Sequence, residues 1–299
     1  MSAVSIVTCT YNRAHLIGET IQSVLQQTFQ DFEYIIVDDG SVDNTKEIVE
    51  SFHDDRIHYF YHERTGGHLS KLRNYAHTKC KGDFVAYIDS DDLWLEDKLQ
   101  KQISFLNQNS NVGFSFTDIE VFNKEGIIKK SIYNNKKGEF IGSVFQKMLQ
   151  NKLVICHTTL VIRKNCLEKT GPMDESMHSG DHDLVFLLSR LYQAHIIFDS
   201  LVRVRKHDQN STSDLNLNLR LLKEHHYSLE KLLQKKLISN FEYKNAIADS
   251  SYSFGVQLQH VNEYAPAASY FLIGLRIRPW NLKGWSRWSI CLAKQKLSL

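Results

Sequence analysis

Residues 84–94 read FVAYIDSDDLW. Five mostly apolar residues, Phe84 to Ile88, run straight into a polar cluster carrying Asp89, Asp91 and Asp92. A short β-branched and aromatic run of this kind reads as a buried strand and is too short for a helix. It delivers the three carboxylates to one sheet edge. Carboxylates this close repel unless they share a cation or a proton, and a hard divalent ion with oxygen ligands removes that cost. The alternative is structural, with Asp92 capping a helix that begins near Leu93. On these residues alone the two readings stand level.

Upstream, residues 4–9 (VSIVTC), 34–37 (YIIV) and 57–61 (IHYFY) are further strands. Helical spacing separates them, at Ile17, Ile21, Val24 and Leu25, then at Ile48, Val49 and Phe52 behind a cap at Asp43 or Asn44. Residues 69–80 are helical and lead into the strand at 84–88. Strand alternating with helix across the first hundred residues means βαβ units and a parallel sheet. Such sheets bind ligands beyond the carboxyl ends of their strands. Three strands end there in polar clusters: Thr10-Tyr11-Asn12-Arg13, Asp38-Asp39, and Asp89 to Asp92. Downstream, a helix carries Leu95, Leu99, Ile103 and Leu106. Strand-like pieces are expected at 112–117 and 153–163, a helix at 141–149 between them, a helix at 181–192 and an extended piece at 196–205. From about Leu215 the pattern is helical, with a boundary near Ser213 that divides the chain into 1–213 and 214–299.

The 299 residues allow one large domain with an appendage, or two domains. Apolar content of 42%, 23% charged residues and a net charge of +2 describe an ordinary globular chain with no nucleic-acid footprint. The five cysteines lack disulfide or zinc spacing and read as buried thiols of a reducing, cytoplasmic compartment. No signal peptide or apolar run of transmembrane length is evident. Neither GxGxxG nor GxxxxGK[ST] occurs. Gly66-Gly67 suits either a phosphate loop or a plain turn. Glu224-His225-His226 is not HExxH and reads as a solvated helix face.

Five segments, VSIVTCTYNR (4–13), YIIVDDGSVDNT (34–45), LRNYAHTKCKGDFVAYIDSDDLW (72–94), TGPMDESMHSGDHDL (170–184) and VRKHDQNS (204–211), carry a resemblance to the family-2 inverting glycosyltransferases. It implies the GT-A fold, a Rossmann-like α/β architecture with a mostly parallel sheet flanked by helices, here followed by a C-terminal helical appendage. It also implies transfer of a sugar from a nucleotide-diphosphate donor, UDP-sugar foremost, to a glycan or lipid-linked acceptor in surface polysaccharide synthesis. Two departures stand out. Cys9 replaces the usual proline, and Gly180 replaces the glutamate of an acidic pair, leaving Asp181 as its only carboxylate.

The resemblance assigns a divalent metal, Mn²⁺ or Mg²⁺, to Asp89-Ser90-Asp91, with Asp91 the direct ligand, Asp89 nearer the donor ribose, and His207 assisting. Tyr11 would stack on the base, and the Thr10 backbone and Asp39 would read the uracil edge. Arg13 and Arg73 join the donor site, Arg73 pairing with phosphate or with the acidic cluster, and Asp38 orients the loop. Asp181 would be the general base, at a helix start that suits a carboxylate. Without the resemblance, each of these has a structural alternative: strand-end aromatic, turn, surface histidine, helix cap. The competing functions are a sugar nucleotidyltransferase, whose basic Gly-rich N-terminal signature is missing, and a degenerate nucleotide-sugar-binding scaffold.

After Glu263 the chain has no Asp or Glu, while Arg276, Arg278, Lys283, Arg287, Lys294 and Lys296 follow. If 283–297 is helical, Trp285, Trp288 and Leu292 share one face, opposite Lys283, Arg287 and Lys294. This pattern suits peripheral contact of 276–299 with the inner face of the plasma membrane, or a terminal helix packed on its own domain.

Overall fold

The computed structural model describes residues 2–207 and 215–297. The expected boundary near Ser213 and the end of the VRKHDQNS segment lie outside the described residues. The chain forms two compact units. One comprises Met1–Ser143 and Ile155–Leu221, the other Val144–Val154 and Leu222–Leu299.

The first unit opens with the expected alternation: β1 (Val4–Thr10), α1 (Ile17–Leu25), β2 (Phe32–Asp38), α2 (Thr45–Glu50), β3 (Ile57–Tyr61), α3 (Leu69–His77) and β4 (Phe84–Tyr87). There follow β5 (Leu93–Trp94), α4 (Lys98–Gln108), β6 (Val112–Asn123), β7 (Gly126–Lys129) and β8 (Glu139–Gly142). The second unit contributes α5 (Phe145–Leu149). The first resumes with a 3₁₀ turn (His157–Thr159), β9 (Val161–Arg163), α6 (Lys164–Thr170), α7 (Asp181–Leu191) and β10 (Gln193–Arg205). Then come α8 (Leu215–Gln234), α9 (Asn240–His260), α10 (Tyr264–Ile277) and α11 (Leu282–Leu297).

The ten strands of the described residues join one sheet whose main path runs β3-β2-β1-β4-β9-β6-β10-β5. The first four strands are parallel. β9 inserts antiparallel between β4 and β6, making the sheet mixed. The chain leaves β1 toward β2 on one side and later fills β4 on the other. That reversal opens a crevice at the carboxyl ends of β1 and β4, where ligands bind in such sheets.

Local chemistry explains the framework. β2 is buried along its whole length, as a central parallel strand covered on both faces should be. In α1 the buried residues Ile17, Thr20, Ile21 and Val24 follow helical spacing and pack with Ile6, Tyr34 and Ile36 in the core. Gly82 enters β4 so close to β1 that a Cβ there would stand 2.7 Å from Ser5 N. The Ser5 hydroxyl meanwhile accepts from Gly82 N and donates to buried Glu33.

Several expectations need correction. Asp92 caps no helix: Leu93–Trp94 pairs with β10 as a strand, and α4 begins only at Lys98. The helix expected at 141–149 is confined to α5, because Ile141 and Gly142 pair with β10. Of the strand expected at 153–163, only β9 forms, because the chain first makes the 3₁₀ turn. Glu224-His225-His226 is not a solvated face. His225 is buried against Phe254, and His226 Nε2 meets Ser250 Oγ at 3.0 Å, burial pushing its pKa down to about 4.

In the second unit, α9 starts with a capping box in which Ser239 and Glu242 satisfy each other's backbone donors. It packs on α10 where Gly255 faces Phe271, a Cβ at Gly255 standing only 2.7 Å from the ring. Among the described residues, no helix is long and apolar enough to cross a membrane.

Candidate active site

A cleft of about 570 Å³ opens at the carboxyl ends of β1, β2 and β4. Its walls include Thr10, Tyr11, Arg13, Asp39, Arg73, Asp89, Ser90, Asp91 and Asp181, the donor-binding and base candidates read from sequence. His207 reaches the same place, with Nε2 2.9 Å from Asp91 Oδ2.

Asn12 and Asp38 build the β1–β2 rim. Asn12 adopts φ +49, a left-handed conformation that asparagine tolerates, and turns the chain between Tyr11 and Arg13. Its N–H donates to Ser41 Oγ, and its side-chain oxygen accepts from Val42 N. Asp38 accepts from Ser41 N and from the Tyr59 hydroxyl, consistent with loop orientation. The buried Asp39 carboxylate accepts from Thr65 N, Gly67 N and Arg64. Gly66 and Gly67 thus form a turn that lines the cleft. Arg64, which no sequence signal marked, also lies 3.6 Å over the Tyr11 ring. A base stacking on that face of Tyr11 would have to displace the guanidinium. The Thr10 hydroxyl is buried on the cleft wall with no hydrogen-bond partner among the described residues.

Arg73 is the electrostatic centre. Its side chain is 4% exposed and donates to Ser179 O at 3.1 Å and to Asp181 Oδ1, and it lies 3.8 Å from Asp89 Oδ1. Helix α3 delivers it by clasping the segment that leads to Asp181. Ser70 Oγ donates to Met177 O, and the Asn74 amide exchanges hydrogen bonds with the Met173 backbone. Gly180, at φ +69, makes the last turn before α7. A Cβ at Gly180 would lie 3.3 Å from that of Met173 and 3.4 Å from that of Ser70, so glutamate does not fit this turn without movement.

The carboxylates diverge in character. Partial burial raises the Asp89 pKa to about 6, with Arg73 opposing and Asp91 and Asp181 adding to the rise. Asp181 moves the other way. Burial would raise it, but the Arg73 guanidinium brings it below the usual value, which keeps the carboxylate ionised at neutral pH. Asp92 is buried and pushed well up by burial and by its neighbours Asp89 and Asp91, and it accepts from Arg205 N. Its work is to tie β10 to the loop.

His157, on the 3₁₀ turn, is the second residue that motif reading missed. Its Nδ1 stands 3.3 Å from Asp181 Oδ1, yet neither ring nitrogen makes an aligned hydrogen bond among the described residues. The Tyr87 ring packs against it at 4.2 Å, and Tyr87 OH meets His77 Nε2 at 2.7 Å. Burial, with Arg73 nearby, pushes the His157 pKa down to about 3, so the ring is neutral. Its isolation in sequence hid it; only the fold brings it to Asp181. All five cysteines are free, and Cys9 and Cys156, which line the cleft, are only half-buried as whole residues. Burial of their thiols pushes Cys9 up to about 12 and Cys156 well above its usual value. Neither supplies a thiolate nucleophile at neutral pH.

A mostly parallel α/β sheet flanked by helices, with an acidic cleft at its switch point, is the architecture of the GT-A fold. Residues 5–171 match glycosyl transferase family 2, and the chain belongs to that family. It is 35% identical over 191 residues to TuaG of Bacillus subtilis, a glycosyltransferase assigned to teichuronic acid biosynthesis, covering 63% of this chain and 71% of TuaG. It is 36% identical over 160 residues to the Escherichia coli UDP-Glc:α-D-GlcNAc-diphosphoundecaprenol β-1,3-glucosyltransferase WfgD, covering 54% and 60% of the two chains. The crystal structure of S. aureus TarS 1–349 with UDP-GlcNAc superposes with a TM-score of 0.70, over 100% of this chain and 92% of that one. At 16% identity that likeness is one of fold.

Proposed function

We propose that the enzyme transfers a hexose, with inversion, from a UDP-sugar to a glycan or lipid-linked acceptor of the cell envelope, in the cytoplasm. The observation that carries this reading is the meeting of three chemistries in one cleft: a base platform (Tyr11, Asp39), an acidic loop with a histidine (Asp89, Asp91, His207), and a carboxylate held by a buried arginine (Asp181, Arg73). The UDP-sugar donor of WfgD and the UDP-GlcNAc bound to TarS support the donor class. The diphosphoundecaprenol acceptor of WfgD supports the acceptor class. The unpartnered Thr10 hydroxyl is a polar group for such a donor to satisfy.

Inversion needs one displacement and one base. Asp181 is ionised at neutral pH and is fixed by Arg73 at its Oδ1, a carboxylate placed to take the acceptor's proton. The carboxylate stays in place because its helix, the Gly180 turn and α3 hold it together.

The acidic loop fits a divalent metal, Mn²⁺ or Mg²⁺. Asp91 and His207 bring a carboxylate oxygen and an imidazole nitrogen within 2.9 Å of each other, with Asp89 on the same loop. Among the described residues, no three His, Cys, Asp or Glu side chains gather into a complete metal cage. Ions of this kind, held by one or two carboxylates, take the rest of their shell from substrate phosphates and water. When bound, the ion would neutralise charge developing on the departing diphosphate.

The test is UDP binding by calorimetry, with and without Mn²⁺ or Mg²⁺, followed by a donor panel read out by UDP release. Tighter binding with metal and turnover of one UDP-sugar are expected. UDP binding without turnover of any donor would replace this reading with that of a non-catalytic nucleotide-sugar-binding scaffold, and no UDP binding under either condition would overturn the donor class.

A further inference from the structure

The C-terminal helix revises the face read from its sequence. Gly284 and Cys291 are buried and fix the packed side of α11. Trp288 and Leu292 are half-buried beside them, so they do not point outward with Trp285. The outward side carries Leu282, Ser286, Ser289, Ile290 and Ala293 instead. Leu282 is 80% and Ile290 47% exposed, and Trp280 in the preceding turn is 74% exposed.

The borders of this face are as informative as its centre. Trp285 forms one edge, and exposed Lys283 and Lys294 the other. Trp285 Nε1 donates to Pro279 O at 2.8 Å, which holds the 279–280 turn against the helix. Its indole N–H therefore needs no water, and the ring can enter an apolar medium without losing a hydrogen bond. Residues 264–299 contain no Asp or Glu but six Lys and Arg. Of these, Arg278 is engaged by Asp249, whereas Arg276 and Lys283 are exposed. The surface thus carries Leu282, Ala293 and Ile290 interspersed with two small serines, is aromatic at one edge and cationic at the other, and has no acidic residue from 264 onward.

We infer that this face lies on an anionic phospholipid surface. Leu282, Trp285 and Ile290 would enter the boundary between headgroups and acyl chains, with Trp280 beside them and Arg276 and Lys283 against lipid phosphates. Helices bind membrane interfaces through this combination of apolar area and cationic flanks. Near an anionic leaflet each Lys or Arg strengthens binding by about fivefold. The helix lies on the bilayer and does not cross it. The inference does not depend on the sugar-transfer reading, since it uses no cleft residue.

The test is co-sedimentation of the full chain with phosphatidylcholine vesicles, with or without about one-third phosphatidylglycerol. The expected result is pelleting on the anionic vesicles and a blue shift of tryptophan emission. Both should fade at about 1 M salt, where screening is nearly complete. Leu282→Glu with Ile290→Glu, at exposed positions that leave the fold intact, should abolish pelleting. Arg276→Ala with Lys283→Ala should weaken it about 25-fold. No pelleting of the wild type at low salt, or unchanged pelleting in both variants, would overturn the inference. Self-association by light scattering that Leu282→Glu with Ile290→Glu abolishes, without vesicle binding, would overturn it in favour of a second copy of the chain.

Discussion

Replacing Arg73 by methionine keeps most of the side-chain volume and removes the charge on which the cleft is balanced. The guanidinium is 4% exposed, donates to Asp181 Oδ1 and Ser179 O, and lies 3.8 Å from Asp89. Breaking a buried pair by removing one partner costs about 3–5 kcal/mol. The Asp181 and Asp89 side chains are 27% and 47% exposed, so water screens part of that loss. The expected destabilisation at pH 7 is therefore at the lower end, about 3 kcal/mol. Its pH dependence follows from Asp181. In the wild type Arg73 brings the folded-state pKa below that of the unfolded chain, so the pair contributes stability above about pH 3.9 and loses it as pH falls through the lowered value. Without Arg73 the largest opposition to burial is gone, so the folded-state pKa of the same carboxyl moves up and the stabilisation above about pH 3.9 shrinks. Both effects make the gap between wild type and Arg73→Met widest near neutrality and narrower toward pH 4. Urea unfolding followed by circular dichroism at pH 7 and at about pH 4 measures it. The same gap at both pH values, or one under about 1 kcal/mol at pH 7, would refute the electrostatic reasoning.

Other perturbations separate the remaining roles. His157→Ala should lower turnover about tenfold at saturating donor while leaving UDP affinity unchanged, because it removes a neighbour of the base and no donor contact; weakened UDP binding would mean that His157 touches the donor. Asp39→Ala should weaken UDP binding by freeing the 64–67 loop as well as losing an acceptor, whereas Tyr11→Ala should lose only stacking; unchanged affinity in both, measured by calorimetry, would remove the base platform. Lys98 is fully buried over the Trp94 ring with no hydrogen-bond partner among the described residues, and burial pushes its pKa well below the usual value. Because its folded-state pKa is depressed, the unfolded chain binds more protons, and stability should rise with pH up to about 10.4, the lysine value in the unfolded chain. Lys98→Met should therefore stabilise the protein at pH 7, with the gain shrinking toward pH 10; destabilisation by the variant would show that the ammonium has a use.

Strands β1, β2 and β4 were legible because each combines a buried apolar run with a polar exit, a pattern set by local chemistry. The β9 insertion was not, because Val161 to Arg163 is only three residues long and its pairing with β4 and β6 is purely tertiary. Asp92 illustrates the opposite failure. Its sequence context suits a helix cap, yet its partner is the backbone of Arg205, 113 residues away. Motifs in the site were legible where chemistry clusters in sequence, as in Asp89-Ser90-Asp91. Arg64 and His157 act through contacts made by folding, with Tyr11 and Asp181, and nothing in their neighbours announces it. On α11 the periodicity gave the helix, but which side packs depended on buried Gly284 and Cys291, which carry no hydrophobic signal strong enough to compete with tryptophan.

The central claim is that Asp181 is the base of a single-displacement transfer, and it is tested most directly by the turnover of Asp181→Asn. The substitution keeps size and shape and removes proton affinity. With UDP affinity measured alongside, turnover of the UDP-sugar found in the donor panel should fall by about 10²-fold or more while UDP binding stays near wild type. Wild-type turnover in Asp181→Asn would contradict the account, above all if the inactive variant is instead Asp183→Asn, the buried carboxylate two residues on in α7.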